Sequence, residues 1–209
     1  MNNLIIIGAG GMGRTLYGIA TESVGYESDF LIKGFIDDNL HALDGFPNYP
    51  PIIGTISEYK PKPDDVFTCS IGGSSRRACV ENLLALGAKF INIIHTEARI
   101  RTNVKIGEGN VICPYVSVGA DARLGSFNMI QPFTTIGHDV VIGDFTRIDT
   151  HVTCVGESKI GNEVDIYTGA VVNFGVTVEA GAHVGAGSFV IRKVKAGTTV
   201  YGNPAKVLM

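Results

Sequence analysis

The sequence predicts a small parallel α/β domain followed by a solenoid of short β-strands. Two observations carry this prediction. An apolar residue recurs at every sixth position from residue 99 to about residue 195, and before that stretch strand-like runs alternate with helix-like segments. Alternating strands and helices indicate a parallel sheet, whereas a short fixed period indicates stacked repeats. We therefore divide the 209 residues into a first domain over residues 1–95 and a second over residues 96–209.

The first domain opens with a strand, a glycine-rich turn and a helix. Residues 4–7 are an apolar run, residues 8–13 read GAGGMG, and residues 14–22 are typical of a helix. Glycines in such a turn let the backbone approach a phosphate, and the amides at the helix N-terminus attract its charge. The motif predicts a phosphate site, and a tight turn without a ligand stays open as the alternative.

Three further strands and one helix complete the first domain. We predict strands over residues 30–36, 66–71 and 90–94 and a helix over residues 74–86. Asp37 and Asp38 follow the second strand, where an acidic residue meets a ribose hydroxyl in nucleotide-binding folds. Because four strands lack the second half that a dinucleotide needs, one nucleotide is the better fit.

The second domain repeats every six residues. All sixteen positions counted by sixes from Ile100 to Val190 are apolar, which chance would produce roughly three times in a million. The residue two places before each of them is small or β-branched, which suits a tight corner. About five coils, roughly 4.8 Å apart, give a prism on the order of 25 Å long. Glycine often follows the apolar residue, and we expect it to give the backbone freedom at the turn. These glycines are Gly107, Gly119, Gly125, Gly137, Gly143, Gly161 and Gly185.

Composition excludes several classes of function. A net charge of −3, with no basic cluster longer than Arg76-Arg77, argues against a nucleic-acid partner. The four cysteines lack paired spacing, so we expect reduced core thiols. No apolar stretch approaches 18 residues and no leader-like segment opens the chain, so we expect a cytoplasmic protein without a membrane partner.

The repeat resembles that of the hexapeptide-repeat acyltransferases, whose strands wind into a left-handed parallel β-helix. With the glycine-rich first domain and the closing residues 202–206, GNPAK, the whole chain resembles bacterial sugar acyltransferases of the sialic-acid O-acetyltransferase-like type. That family includes UDP-N-acetylbacillosamine and perosamine N-acetyltransferases. The resemblance implies a Rossmann-like domain that holds a nucleotide-linked amino sugar. It also implies a β-helix that forms a homotrimer and binds acetyl-CoA between neighbouring prisms.

The resemblance also implies a catalytic base. Acetyl transfer from a thioester requires a proton acceptor, and histidine is suited to that role near neutral pH. His138 and Asp139 interrupt the repeat after Gly137 and match the family's His-Glu or His-Asp pair, in which the histidine is the base. Gln131 stands where the family usually has an asparagine, seven residues earlier, in a position that holds substrate or water.

The remaining site residues follow from the same resemblance. The substrate positions of the family fall on Gly10, Gly11, Met12, Asp37, Asp38 and Gly72. Many members have histidine where this chain has Met12. The acetyl-CoA positions fall on Arg147, Thr168 and Ala186, with Gly185 and Gly187 beside the last.

These residues indicate an acetyl-CoA-dependent N-acetyltransferase for a nucleotide-linked amino sugar, a 4-amino-4,6-dideoxy sugar, in bacterial surface polysaccharide biosynthesis. A sugar O-acetyltransferase and a non-catalytic nucleotide-sugar-binding scaffold stay open. So does a metal enzyme of the carbonic-anhydrase type, which needs three converging histidines. His138 and His151 occupy different phases of the repeat, which disfavours that reading, and we predict no metal.

Overall fold

The computed structural model describes residues 1–73 and 75–208, which form two compact units divided after Thr96. The first unit contains a parallel four-stranded sheet in the order β2-β1-β3-β4. Its elements are β1 Asn2–Ile7, α1 Gly11–Thr21, β2 Phe30–Ile36, β3 Asp65–Cys69, α2 Ser75–Ala85, β4 Lys89–Phe90 and β5 Ile93–Ile94. The loops that follow β1, β2 and β3 therefore share one edge of the sheet, as the sequence predicts.

Two predicted elements of the first unit were wrong in extent. α1 begins at Gly11, inside the glycine motif, and not at residue 14. The strand predicted over residues 90–94 is two short strands. Ile91 still donates to Phe67, but Ile94 then accepts from Val24, so the chain leaves the sheet edge between them. The second predicted helix is Ser75–Ala85, and Ser74 lies outside the described residues.

A buried carboxylate forms hydrogen bonds at the amino end of this sheet, opposite those loops. Asp65, the first residue of β3, has a fully buried side chain that accepts hydrogen bonds from Lys33 Nζ at 2.9 Å and Tyr59 Oη at 2.9 Å. The Lys62 amide donates to it at 3.0 Å. Burial alone raises the pKa of the Asp65 carboxyl, but these three hydrogen bonds outweigh burial and the pKa lies below its ordinary value.

The second unit is a left-handed parallel β-helix of short strands. In chain order these are β6 Arg99–Ile100, β7 Lys105–Ile106, β8 Val111–Ile112, β9 Ser117–Val118, β10 Arg123–Leu124, β11 Met129–Ile130, β12 Thr135–Ile136, β13 Val141–Ile142, β14 Arg147–Ile148, β15 Thr153–Cys154, β16 Lys159–Ile160, β17 Asp165–Ile166, β18 Val171–Val172, β19 Thr177–Val178, β20 His183–Val184, β21 Phe189–Val190, β22 Thr199–Tyr201 and β23 Lys206–Val207. From β6 to β18, each strand pairs in parallel with the strand three places later, as Thr135 does with Thr153. One coil is therefore eighteen residues and three strands.

Each coil has three faces and three corners, which we number for use below. Face 1 contains β8, β11, β14, β17, β20 and β22; face 2 contains β6, β9, β12, β15, β18 and β21; face 3 contains β7, β10, β13, β16 and β19. Corner 1 leads from face 1 to face 2 and includes residues 131–134, 149–152, 167–170 and 185–188. Corner 2 leads from face 2 to face 3 and includes residues 137–140, 155–158 and 173–176. The stacked rings of Tyr115 and Phe133 at corner 1, with centroids 4.9 Å apart, repeat at the predicted coil spacing.

The predicted column of apolar residues is the core of the prism. From Ile112 to Val190 every sixth residue is buried, and Ile100 and Ile106, in the first coil, are half-buried. The small residues two places earlier are also buried from Asn110 onward, at the corners. β-branched residues suit this column because they pack well on a pleated surface.

The expected role of the repeated glycines was wrong. The left-handed backbone of each turn falls two residues later, often on non-glycine residues such as Phe133 and Asp139, both with φ near 60°. Gly137 and its equivalents are instead required by the approach of the next coil. A Cβ on Gly137 would lie 2.6 Å from the Gly156 nitrogen, closer than real Cβ contacts.

The last coil is two residues shorter than the others. Val194 pairs with Val178, and Val200 pairs with Val184, which are separations of sixteen residues and not eighteen. β22 then pairs in an antiparallel way with β23. This contraction explains why the period disappears from the sequence near residue 195.

Candidate active site

His138 stands at corner 2, directly after β12. Its Nδ1 lies 2.8 Å from Asp139 Oδ2, and both side chains are more than half exposed. Because a carboxylate can only accept, Nδ1 carries a hydrogen, and in the neutral imidazole Nε2 then presents its lone pair. Asp139 adopts the left-handed conformation of the turn, with φ 58°, and its amide donates to Ala120 in the preceding coil. The backbone thus fixes the carboxylate that orients the imidazole.

The imidazole of His138 occupies a notch in the next coil. A Cβ on Gly156, eighteen residues later, would lie 2.6 Å from Nε2, so the ring fits because residue 156 has no side chain. Phe174, two coils on at the same corner, has its ring centroid 6.4 Å from that of His138 and is half exposed. Sequence reasoning did not select Gly156 or Phe174, although spacings of eighteen and thirty-six from His138 are the signal that finds them.

The predicted acetyl-CoA residues gather at and beside corner 1. Thr168 and Ala186 are eighteen residues apart in one exposed column, and Gly187 follows in the left-handed conformation, with φ 66°. Gly185 has a packing role, because a Cβ there would lie 2.5 Å from the Tyr201 ring. Gly185, a predicted acetyl-CoA position, therefore also packs against β22.

Arg147 lies on face 1, next to that column, and is already paired. Its Nε donates to Asp149 Oδ1 at 2.7 Å and its Nη2 donates to Asp149 Oδ2 at 3.1 Å. Asp149 is buried and the arginine side chain is 43% exposed. The guanidinium is held in one orientation, and part of its charge is balanced before any anion arrives.

Gln131 and His138 do not meet within one chain. Gln131 begins corner 1, β12 crosses face 2, and His138 stands at corner 2. The predicted residues of the β-helix thus form two groups on either side of face 2. His151 belongs to corner 1, where its ring stacks on Phe133 at 5.0 Å, so it does not converge with His138.

The glycines of the turn in the first unit have two different roles: some are needed for packing, and one leaves open space. Gly8 has φ 92°, and a Cβ on Gly13 would lie 2.0 Å from the Gly8 oxygen, so these two build the turn and the contact between α1 and the sheet. Gly10 is exposed, with no atom within 4 Å of where its Cβ would stand. Its side of the turn is open to a ligand.

The acidic residues after β2 are tied to their neighbours. Asp37 accepts from the Ala9 amide at 2.7 Å and the Asn39 amide at 2.8 Å, which fastens the second loop to the glycine turn. Asp38 accepts from the Ser57 amide and hydroxyl at 3.2 and 3.3 Å. Gly72, after β3, is exposed with open space around it. The three predicted loops therefore meet at one edge.

A cavity of about 650 Å³ adjoins these loops within the first unit. Asp38, Ser57 and Ser75 give it polar groups. Its other lining residues are Ile56, Ile71, Cys79, Asn82, Leu83 and Leu86. An apolar cavity with a few convergent polar groups is typical of a small-molecule site.

The four cysteines are reduced, as expected, and three of them are buried. Burial raises the pKa of the Cys113 and Cys154 thiols to about 12. Among residues 1–73 and 75–208, no group of three or more histidine, cysteine, aspartate or glutamate side chains could hold a metal ion. Within the same ranges, neither helix is long and apolar enough to cross a membrane.

Known proteins share both units. The family described as the PglD N-terminal domain matches residues 3–83. GDP-perosamine N-acetyltransferase of Escherichia coli O157:H7 is 31% identical over 217 residues, covering 99% of this chain and 96% of that protein. The chain belongs to this family of sugar acyltransferases. Among solved structures, the acetyltransferase domain of PglB from Neisseria gonorrhoeae FA1090 is similar to this chain, with a TM-score of 0.89 and 31% identity over the full length of both chains. A mutant of perosamine N-acetyltransferase from Caulobacter crescentus, at 22% identity and a TM-score of 0.88 over 100% of this chain and 98% of that one, shares the fold.

Proposed function

We propose that the chain transfers the acetyl group of acetyl-CoA to the amine of a nucleotide-linked 4-amino-4,6-dideoxy sugar, in the cytoplasm, for bacterial surface polysaccharides. The observation that carries this proposal is the exposed His138–Asp139 pair, whose Nε2 lies over the Gly156 notch. The relatives support the substrates. One is named for GDP-perosamine, and the PglB domain, 32% identical in that structure, is solved in complex with acetyl coenzyme A.

His138 is the general base in this proposal. The sugar nitrogen attacks the thioester carbon, a C–N bond forms, and the proton of the nitrogen passes to Nε2. The tetrahedral intermediate then expels the sulfur of CoA, which takes the proton back from the imidazolium. The products are the amide and the free CoA thiol. The Asp139 carboxylate holds Nδ1–H and stabilises the imidazolium charge while it lasts.

The oxyanion of the intermediate needs a donor beside His138. The Gly156 amide is the candidate, because the residue borders Nε2 and its N–H donates to no acceptor in the described part of the chain. A preorganised backbone amide stabilises charge that develops in the transition state without reorganising.

The other predicted residues bind the two substrates. The nucleotide of the sugar occupies the edge of the first unit formed by Gly10, Gly11, Met12, Asp37, Asp38 and Gly72. Acetyl-CoA lies along corner 1 and contacts Arg147, Thr168, Ala186 and Gly187, while Gly185 supports that corner from beneath. Arg147 then donates hydrogen bonds to a phosphate of CoA from the N–H groups that are not bound to Asp149.

The proposal requires a homotrimer. Gln131 and the acetyl-CoA residues stand at corner 1, whereas His138 stands at corner 2, so one prism carries two halves of a site. A ring in which corner 1 of one subunit meets corner 2 of its neighbour completes three identical sites.

Replacing His138 tests the proposal. We expect His138→Ala to lower kcat by roughly 10²–10⁴-fold, the usual effect of losing a general base, while acetyl-CoA and nucleotide still bind. Asp139→Asn should cost less, because a neutral hydrogen bond partly replaces the carboxylate. A folded His138→Ala protein that binds both ligands and turns over within a few-fold of the parent would remove the histidine from the mechanism.

A substrate screen separates the remaining alternatives. Nucleotide amino sugars are incubated with acetyl-CoA, and thiol release and product mass are measured. An N-acetylated product survives mild hydroxylamine, whereas an O-acetyl ester is cleaved and would indicate a sugar O-acetyltransferase. A non-catalytic scaffold would neither bind acetyl-CoA nor release thiol.

A further inference from the structure

An arginine of the first unit, Arg14, stands beside the glycine turn and against an aromatic ring. The Arg14 guanidinium carbon lies 3.6 Å from the centroid of the Phe46 ring. The nearest atom to a Cβ built on Gly11 is an Arg14 terminal nitrogen, at 3.9 Å. Within residues 1–73 and 75–208, the Arg14 side chain makes no ion pair and no hydrogen bond. A cation is thus placed at the open side of the turn.

The loop that carries Phe46 is fixed along α1. Tyr49 packs its ring 5.4 Å from that of Tyr17, one helical turn after Arg14, and 6.4 Å from the buried Phe35 ring. The loop and the helix therefore form two successive contacts, Phe46 with Arg14 and Tyr49 with Tyr17. Because Tyr49 is anchored to the core, the position of Phe46 beside the turn follows from packing.

A stacked guanidinium is suited to bind phosphate. The Phe46 ring lies 3.6 Å from the guanidinium carbon, and a planar guanidinium can offer the N–H donors along its edge to two oxygens of one phosphate. The open turn offers space for such a ligand, since nothing lies within 4 Å of a Cβ on Gly10. The amides of the first turn of α1 attract the same charge.

We propose that Arg14 binds the diphosphate of the nucleotide-linked sugar and that Phe46 is a positioning residue that holds its guanidinium at the turn. This inference rests on the proposed function and adds a specific anion contact to it. It predicts that the affinity of the first unit depends on the diphosphate more than on the nucleoside.

Calorimetry on the full chain tests this with a charge-matched control. UDP, dTDP and GDP are titrated into the parent protein, Arg14→Gln and Lys89→Gln. Lys89 is an exposed residue that opens β4, at the amino edge of the parallel sheet, opposite the turn. We expect Arg14→Gln to weaken the best diphosphate roughly 10–100-fold, while its nucleoside and acetyl-CoA bind as in the parent. Lys89→Gln should leave all three affinities unchanged.

Phe46 is tested through its dependence on Arg14. Phe46→Ala should weaken the diphosphate several-fold, and Phe46→Tyr should retain parent affinity because a ring still covers the guanidinium. In the Arg14→Gln background, Phe46→Ala should have no further effect, whereas a purely structural role would lower affinity again. Arg14→Lys, which keeps the charge but loses the planar edge, should lie between parent and Arg14→Gln.

The outcomes separate this inference from the proposed function. If the parent binds none of the three diphosphates, the nucleotide site itself is wrong. If the parent binds one and Arg14→Gln binds it equally well, the role of Arg14 alone is overturned. Equal weakening by Lys89→Gln would show a general effect of charge and would also overturn it.

Discussion

His138 takes its orientation from three residues at different points of the coil stack. Asp139 holds Nδ1 in the same turn, Gly156 leaves room for the ring one coil later, and Phe174 borders it two coils later. Because displacing a catalytic side chain by about 1 Å can cost roughly 10²-fold in rate, the proposed mechanism depends on the notch as well as on the carboxylate.

Gly156→Ala should therefore impair catalysis without unfolding the coil. The backbone of Gly156 is not left-handed, so alanine can adopt it, and the three atoms nearest to the added Cβ all belong to the His138 ring. We expect kcat to fall at least about tenfold while acetyl-CoA affinity is retained. The His138→Ala/Gly156→Ala double variant should be no slower than His138→Ala alone. Parent-like kcat in the single variant would show that the ring has another productive position.

At the scale of elements, α1 and β3 show how local sequence sets the first unit. Gly13 and Gly18 lie on the same helix, yet Gly13 is buried against the Gly8 oxygen and Gly18 is exposed with nothing nearby. Asp65 opens β3 at the amino end of the sheet and accepts hydrogen bonds from Lys33, Tyr59 and the Lys62 amide, among others. The contact of α1 with the sheet depends on the absence of a side chain at Gly13. The amino end of the sheet depends on the charge of Asp65.

The two glycines of α1 form a matched pair for a stability test. Gly13→Ala should lower the free energy of unfolding by about 1–3 kcal/mol or more, because its Cβ would overlap the Gly8 oxygen. Gly18→Ala should raise it by up to about 1 kcal/mol, since alanine favours a helix interior. Thermal melting of both variants checks the opposite signs, and a Gly13→Ala protein as stable as Gly18→Ala would contradict the packing argument.

Asp65 predicts how the first unit responds to acid. Its folded-state pKa is lowered, so its stabilisation is complete above the unfolded value of about 3.9 and is lost as pH falls through the folded value. We expect the melting temperature to fall steeply below about pH 4, and the fall to be shallower in Asp65→Asn, which is already less stable near neutral pH. Asp64→Asn, at the exposed neighbour, is the control and should follow the parent curve.

The secondary-structure elements and the surroundings of His138 were predictable from the sequence to different degrees. The six-residue period is enough to predict which residues form the core column, because one buried apolar residue recurs in every strand. The position of Gly156 required the number of strands in a coil, which a six-residue period leaves open. The left-handed turns carry residues as bulky as Phe133, so composition did not locate them. Arg14 escaped notice because its partner Phe46 is distant in sequence and is brought near by loop packing.

At the scale of the whole molecule, the separation of the two corners determines what must assemble. Corner 1 carries Thr168 and Ala186, and corner 2 carries His138, with face 2 between them. In the proposed function, an isolated chain would bind acetyl-CoA at corner 1 without placing it against His138. Assembly is then a condition of the proposed activity.

Mixing two inactive proteins tests this arrangement. His138→Ala removes the proposed base at corner 2, and Ala186→Trp blocks the proposed acetyl-CoA site at corner 1. The homotrimer of either variant alone should therefore be inactive. In randomly mixed trimers, roughly a quarter of the interfaces unite an intact corner 1 with an intact corner 2, and about that share of parent activity should return. Mixed trimers without activity, or a monomer in sedimentation, would place the site within one chain.

The eighteen-residue coil also governs which changes of length this lineage can accept. Adding or deleting a whole coil lengthens or shortens the column and leaves every later side chain facing the same way. Adding six residues instead turns everything downstream by one face, which would carry Thr168 and Ala186 away from their corner. The two-residue contraction occurs after Val190, beyond every residue assigned to the site, where a change of register no longer alters its chemistry. Among natural relatives, insertions and deletions within the β-helix should therefore have lengths that are multiples of eighteen residues before Val190, and any length after it.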